Sequence, residues 1–173
     1  MVKDKTVYYL GYGSNMSVDY LIDRRKVRPI ESERALLDDY KLIMNMEGPN
    51  FLEPSFANIK KEKGFQVEGV LHKISETDLQ KIVNTEGENY QLTNLLVRTG
   101  KSRRKACTLI YITEEPKDIP PSRRYMKILV NAAKKSNLSY GYIRNLEKRP
   151  FVYYPILSEM MSLRVYLWVW LRT

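Results

Sequence analysis

A turn containing two glycines is the first stretch of this chain whose residues could do chemistry. Gly11-Tyr12-Gly13-Ser14-Asn15 follows the apolar residues Val7–Leu10, which predict a buried strand, and it precedes a helical pattern with Asn15 or Ser17 as its cap. A strand that passes through such a turn into a helix directs several backbone N–H groups to one point, in the positive field of the helix start. The turn therefore predicts a binding site for an anion or an oxyanion. The alternative is an ordinary turn whose glycines only supply positive φ angles.

Two common phosphate-binding patterns are missing from this turn. Gly11 and Gly13 are not followed by a third glycine at the place that G-x-G-x-x-G requires, and no G-x-x-x-x-G-K-[ST] occurs there. A nucleotide is therefore not the ligand that the turn suggests first.

Glu86 is the second candidate, at the end of a predicted helix. Residues 75–78 have the form of a helix start, and the apolar residues that follow have the spacing of a buried stripe: Leu79, Ile82 and Val83. The next position of this stripe is Glu86, in the last helical turn, and Gly87 is predicted to end the helix. The pattern thus places an acid on the inward face.

A buried glutamate at a helix C-terminus has an unusual pKa. Burial and the negative end of the helix dipole both disfavour the carboxylate of Glu86, so both raise its pKa toward the range of a general acid or base near neutral pH. The alternative is a helix that ends one residue earlier, with Glu86 pointing into solvent.

Other catalytic chemistry has few residues to work with. The chain has one cysteine, Cys107, and one histidine, His72, so it has no intramolecular disulfide and no set of nitrogen and sulfur ligands for a structural zinc. His72 lies in a strand pattern and is interpreted as a structural or surface residue rather than a member of a catalytic triad. Any catalysis should depend on carboxylates, tyrosines and backbone groups.

Length and composition indicate one globular domain. The chain has 173 residues, 43% of them hydrophobic, and a net charge of +9 from 29 basic and 20 acidic residues. The basic residues are dispersed, so they favour solvated turns and helix ends over a nucleic-acid groove. The first residues, Met1–Lys5, show no hydrophobic signal segment, which predicts a cytosolic protein.

The remaining pattern alternates between strands and helices. Strand material is predicted at 34–44, a hairpin at 55–60 and 65–74, and two strands at 90–97 and 106–113 joined by an exposed basic loop, with a further loop at 46–50. Helices are predicted after Pro120-Pro121-Ser122 and at about 139–148. Residues 151–173 form a distinct apolar, aromatic tail, in which the continuous apolar run 165–171 is too short to span a bilayer.

Three motifs, in order and with close spacing, resemble the gamma-glutamylcyclotransferase family. They are the Tyr-Leu-Gly-Tyr-Gly-Ser-Asn turn at 9–15, the helix that ends in Glu86-Gly87, and Pro120-Pro121-Ser122 followed by Tyr125 and Asn131-Ala132-Ala133-Lys134. The resemblance extends from about Thr6 to Pro150, which predicts a cyclotransferase-like domain at 1–150 and a separate tail at 151–173.

The resemblance implies a fold, an activity and a set of site residues. It implies an α+β fold, a small, mixed, mainly antiparallel β-barrel with flanking helices. It implies conversion of a γ-glutamyl amino acid to 5-oxoproline without a cofactor, by attack of the substrate's own α-amine, with Glu86 as general base and acid. The substrate-binding residues carried over are Tyr9, Leu10, Gly11, Tyr12, Gly13, Ser14, Asn15, Tyr90, Tyr111 and Tyr125.

The chain departs from the family pattern at two places. The connection between Glu86 and Tyr90 is shorter than usual, which affects the matching of Tyr90, and the tail at 151–173 is apolar where the family's is polar and helical. The expected partner is a small γ-glutamyl substrate, with a homodimer as a candidate assembly. Alternatives are a cyclotransferase specific for glutathione or for γ-glutamylamines, and a non-catalytic module that binds an anion or nucleic acid.

Overall fold

A closed five-stranded barrel forms the centre of the computed structural model, which describes residues 5–86, 89–100, 102–113 and 117–155. The strands within these residues are β1 (Thr6–Gly11), β2 (Glu31–Asn50), β3 (Glu53–Ser75), β4 (Tyr90–Thr99) and β5 (Ser102–Tyr111). Around the barrel they follow the order β1-β3-β2-β4-β5, with antiparallel neighbours except for β1 and β5, which pair in parallel at Tyr9 and Cys107. The predicted mixed, mainly antiparallel barrel is confirmed.

Four helices flank the barrel in the described residues, and each begins at a serine cap. They are α1 (Val18–Arg25), α2 (Glu76–Thr85), α3 (Arg123–Lys135) and α4 (Tyr140–Glu147). The side-chain oxygen of each capping serine accepts a hydrogen bond from the backbone N–H three residues later, which satisfies a donor that the helix cannot pair. The capping residues are Ser17, Ser75, Ser122 and Ser139.

The hairpin predicted at 55–60 and 65–74 is wrong, because both segments belong to the single long strand β3. Both pair with the same neighbour, β2, instead of with each other. The predicted turn is a large bulge instead: between the pairs Asp38–Gln66 and Tyr40–Lys61, β3 has four residues where β2 has one. Asp39 and Gly64 both have positive φ there, and the Gly64 N–H donates to the Asp39 carboxylate over 3.0 Å.

Two further predicted loops are also wrong. Residues 46–50 form the irregular end of β2, and most of the basic joint at 98–105 extends β4 and β5, with Gly100 as a turn residue after β4. The basic side chains of Arg103, Arg104 and Lys105 are nevertheless exposed, as predicted. Strand pairing therefore continues through segments whose composition is typical of loops, because alternate backbone groups still find partners across the hairpin.

The described chain ends shortly after α4. Val152 forms an isolated parallel bridge with Ser122, just before α3. Most of the predicted tail at 151–173 lies outside the described residues, as does Gly87, and the division of the chain at residue 150 stays a prediction. None of the helices in the described ranges is long and apolar enough to cross a membrane.

Candidate active site

A cavity of about 250 Å³ lies where the end of β1, the start of α1, the end of α2 and the start of α3 meet. It brings together most of the residues that the sequence predicted for the site, although they are far apart along the chain. Those that line the cavity are Tyr9, Tyr12, Gly13, Ser14, Asn15, Glu86, Tyr90 and Tyr125.

Three predicted site residues do not line this cavity. Leu10 is buried in the barrel core. Gly11 allows a close approach of the backbone, since a Cβ at this position would lie 2.4 Å from the Asn15 carbonyl oxygen. The Tyr111 ring packs edge to face against the Tyr90 ring, with 5.5 Å between their centroids. These residues therefore shape or support the cavity from behind.

The glycine turn leaves backbone donors available, as the sequence suggested. A short 3-10 turn at Ser14–Met16 uses the N–H groups of Met16 and Ser17, which donate to Gly13 and Ser14 over 3.0 and 3.1 Å. Within the described residues, no backbone carbonyl accepts a hydrogen bond from the N–H groups of Gly13 or Asn15, whereas the Ser14 N–H interacts with the Tyr125 hydroxyl. Backbone N–H groups of this kind can bind a carboxylate or an oxyanion.

His72 holds the turn from inside the barrel. Its Nε2 lies 2.9 Å from the Asn15 carbonyl oxygen, and its Nδ1 lies 2.8 Å from the Ser32 hydroxyl oxygen. Because a carbonyl only accepts, Nε2 donates its proton to Asn15 and Nδ1 accepts from Ser32. Burial lowers the pKa of His72 to about 4, so the ring is neutral at physiological pH. His72 is thus the structural histidine that the sequence allowed.

The placement of Glu86 combines parts of both predictions. The helix α2 ends at Thr85, one residue early, and Glu86 is its C-cap residue with extended backbone angles. The carboxyl group still lies in the cavity, with only 13% of the side chain exposed. Glu86 is therefore turned inward, as the stripe predicted, although it lies one residue beyond the end of the helix.

The environment of Glu86 raises its pKa. Burial is the larger cause, and Arg25 and the Asn15 side chain act in the opposite direction. A carboxyl group in this setting is a stronger base than an exposed glutamate, while its cationic neighbour favours the ionised form. That combination suits a group that must both accept and return a proton.

Arg25 is a site residue that sequence reasoning missed. Its Nη2 forms an ion pair with Glu86, its Nη1 donates to the Thr85 carbonyl over 3.3 Å, and 14% of its side chain is exposed. From the sequence, Arg25 is one of the basic residues that are expected to be solvated at helix ends. A usable signal exists, because Arg25 lies four residues after the fully buried Leu21 and thus on the same face of the helix.

The tyrosines supply neutral hydroxyl groups around the carboxylate. Burial raises the pKa values of Tyr9, Tyr12 and Tyr125 above their ordinary range, so all three stay protonated. The Tyr9 hydroxyl accepts from Asn15 Nδ2 over 2.9 Å, and the Tyr125 hydroxyl accepts from the Ala57 N–H over 3.1 Å. Both hydroxyls therefore keep their protons to donate, whereas Tyr12 donates its proton to the Leu109 carbonyl.

The described residues contain no group of three or more histidine, cysteine, aspartate and glutamate side chains placed to hold a metal ion. The chemistry available in the cavity is that of one carboxylate, two arginines (Arg25 and Arg124), hydroxyl groups and backbone donors.

Comparison with known proteins finds relatives of the kind that the sequence motifs suggested. A model of the AIG2-like family matches residues 66–146. Gamma-glutamyl cyclotransferase gliK of Claviceps purpurea is 29% identical over 171 residues, which cover 91% of this chain and 77% of that protein. Gamma-glutamylcyclotransferase of Bos taurus is 27% identical over 144 residues, covering 80% of this chain and 76% of the relative. A solved structure of a gamma-glutamyl cyclotransferase shares the fold with a TM-score of 0.76 at 22% identity, covering 87% of this chain and 92% of the other.

Fold and cavity together define a small β-barrel protein with a carboxylate-centred site between its barrel and its helices. The solved structure of a gamma-glutamyl cyclotransferase shares the barrel fold over most of its length. In sequence and fold the chain is similar to gamma-glutamylcyclotransferases, as the resemblance predicted, and the prediction of an enzyme of this type is confirmed at that level.

Proposed function

We propose that this protein converts a γ-glutamyl amino acid to 5-oxoproline and the free amino acid. One observation carries the proposal: the Glu86 carboxyl group is enclosed in the same cavity as the glycine turn and the tyrosine hydroxyls. The names of the relatives support the reaction class, since several are gamma-glutamylcyclotransferases.

Glu86 is the general base and acid in this proposal. The α-amine of the substrate is an ammonium at neutral pH and cannot attack until it loses a proton. The raised pKa of Glu86 makes it a better acceptor for that proton, and Arg25 keeps the carboxylate ionised until the ammonium arrives. Once protonated, Glu86 is placed to return the proton to the departing nitrogen.

The turn and the tyrosines hold the substrate in the conformation that reacts. The N–H groups of Gly13 and Asn15, which no backbone carbonyl of the described residues accepts, suit either the α-carboxylate or the carbonyl oxygen that gains charge during attack. Tyr9 and Tyr125 keep hydroxyl protons for a second acceptor. Restricting the glutamyl chain to its folded form supplies much of the rate, because the attack is intramolecular.

The reaction balances without water. The amine nitrogen forms a bond to the γ-carbonyl carbon, a tetrahedral intermediate collapses, and the bond from that carbon to the amino acid nitrogen breaks. Two protons leave the attacking nitrogen and two reach the departing one, so a single group that alternates between base and acid fits the sequence of steps.

The test is release of 5-oxoproline and alanine from γ-glutamyl-alanine by the purified protein. We expect Glu86→Gln to lower turnover by at least ~10²-fold. Glu76→Gln is the matched control, since Glu76 lies at the exposed start of the same helix and forms a surface ion pair with Lys5. Equal turnover by parent and Glu86→Gln would end the assignment. A cytosolic location and a homodimer stay predictions.

A further inference from the structure

Arg124 is a second arginine of the cavity wall, and it differs from Arg25 in its exposure. It lies in the first turn of α3 next to Tyr125, and 42% of its side chain is exposed. Arg25 is enclosed, with its two Nη groups committed to Glu86 and Thr85. Of these two cavity arginines, Arg124 is therefore the one that a ligand can reach.

A buried acid fixes the guanidinium of Arg124 from behind. Arg124 Nε donates to Glu53 Oε1 over 2.5 Å, and Ser122 Oγ donates to Glu53 Oε2 over 2.7 Å. Glu53 itself is buried, with 4% of its side chain exposed. A buried carboxylate holds a cationic partner strongly, because an unpaired charge there is costly. The orientation of Arg124 is thus set before any ligand binds.

The outer nitrogens of Arg124 remain available. Within the described residues, its Nη groups make no hydrogen bond, so their four N–H donors are unused. A planar pair of such donors matches a carboxylate, which can accept two parallel hydrogen bonds. The site thus contains an oriented carboxylate receptor in addition to the turn and Glu86.

A γ-glutamyl amino acid has two carboxylates, one on the glutamyl part and one on the departing amino acid. The glutamyl carboxylate shares a carbon with the amine that must reach Glu86, so it belongs with Glu86 and the turn. The second carboxylate lies beyond the bond that breaks and needs a separate partner.

We propose that Arg124 binds the carboxylate of the departing amino acid and so selects γ-glutamyl amino acids over γ-glutamylamines. This inference rests on the proposed function and adds a specificity residue to it. Arg124 contacts the part of the substrate that leaves, and its loss acts on the choice of substrate more than on the chemistry at Glu86.

The experiment compares γ-glutamyl-alanine with γ-glutamyl-ethylamine, which differs only by lacking the alanine carboxylate. We expect kcat/KM of the parent to be at least ~10-fold higher for γ-glutamyl-alanine, the scale of a partly exposed, charge-assisted pair. Arg124→Gln should bring this ratio close to 1. Arg123→Gln is the matched control, because that neighbour stacks on Tyr153 outside the cavity and should keep the parent ratio.

The outcomes separate this inference from the proposed function. A parent ratio near 1, or a ratio that Arg124→Gln leaves unchanged, overturns the role of Arg124 while cyclotransfer stands. An equal loss for both substrates places Arg124 on the shared glutamyl part and also overturns it. Absence of 5-oxoproline from both substrates with the parent overturns both proposals.

Removal of Arg124 alone leaves Glu53 without this cationic partner, which could prevent folding. The double variant Glu53→Gln/Arg124→Gln removes both charges, and we expect the same ratio near 1 from it. Arg124→Lys keeps the charge but not the planar pair of donors, so its ratio should fall between those of the parent and Arg124→Gln.

Discussion

Acidification should destabilise this protein through His72, well above the pH at which exposed carboxylates titrate. The ring is fully buried between Ser32 and Asn15, and its pKa falls from 6.5 to about 4 because burial disfavours the imidazolium. The unfolded chain binds a proton near pH 6.5, whereas the folded chain resists it until about pH 4. The contribution of the neutral His72 ring to stability is therefore fully present above pH 6.5 and is lost as the pH falls from 6.5 to about 4.

The size of the effect follows from the two pKa values. A difference of one between the pKa values of the folded and unfolded chain corresponds to about 1.4 kcal/mol. The full loss in the free energy of unfolding is therefore about 3 kcal/mol, of which about 2 kcal/mol should occur between pH 7 and pH 5. Typical domains have about 5–15 kcal/mol of stability, so this change is large enough to measure.

The assay is urea unfolding at pH 7, 6 and 5 for the parent and for His72→Gln. Glutamine can donate to Asn15 and accept from Ser32 but does not titrate, so its free energy of unfolding should be almost flat over this range. The raised pKa of Glu86 acts in the opposite direction and is common to both proteins, so it cancels in the comparison. Because the chain has one histidine, NMR of the labelled ring also gives its pKa directly. The same pH slope in both proteins, or a measured pKa near 6.5, would refute this reasoning.

Two further perturbations test the geometry of the cavity. Arg25→Met should leave Glu86 without its ion pair, so the pKa that governs the basic group in the pH–rate profile should move to higher pH. We expect kcat/KM at neutral pH to fall by about 10-fold or more, which steady-state rates from pH 5 to 9 would reveal. An unchanged pH–rate profile would exclude this role of Arg25. Gly11→Ala places a Cβ 2.4 Å from the Asn15 carbonyl oxygen and should cost about 1–3 kcal/mol in thermal unfolding together with most of the activity. Gly141→Ala is the control, because Gly141 is helical and nothing lies within 4 Å of the added Cβ. A Gly11→Ala protein as stable and as active as this control would contradict the described close packing of the turn.

Local signals predicted the positions of the helices well. Each of the serines at 17, 75, 122 and 139 stands before a segment with apolar periodicity, and each accepts a hydrogen bond from the backbone N–H three residues later. This pattern depends only on residues close in sequence, so a single chain suffices to find it.

Local patterns could not predict that β3 is a single long strand. Glu62-Lys63-Gly64 has the composition of a turn, and Gly64 indeed has positive φ. Whether the chain reverses or bulges there is decided by β2, which pairs with both halves of β3. That choice depends on contacts distant in sequence.

The candidate site was predicted only in part, because some of its residues meet through contacts that are distant in sequence. The turn at 11–15 and Glu86 were predicted from local pattern and family resemblance. Arg25 was missed although its spacing from Leu21 places it on the inner face of α1, and Arg124 was missed because its pairing with a buried acid leaves no local signal in the sequence. Glu53, the partner of Arg124, lies 71 residues away along the chain. Only the folded barrel shows that these charges meet.

The central claim is that Glu86 moves the proton that lets a bound glutamyl amine close onto its own side-chain carbonyl. The most direct measurement is single-turnover formation of 5-oxoproline from γ-glutamyl-alanine by the parent and by Glu86→Gln, at enzyme concentrations that saturate binding. We predict a first-order rate that falls by at least ~10²-fold in the variant with little change in substrate affinity. An equal rate in both proteins, or no 5-oxoproline from the parent, would contradict it.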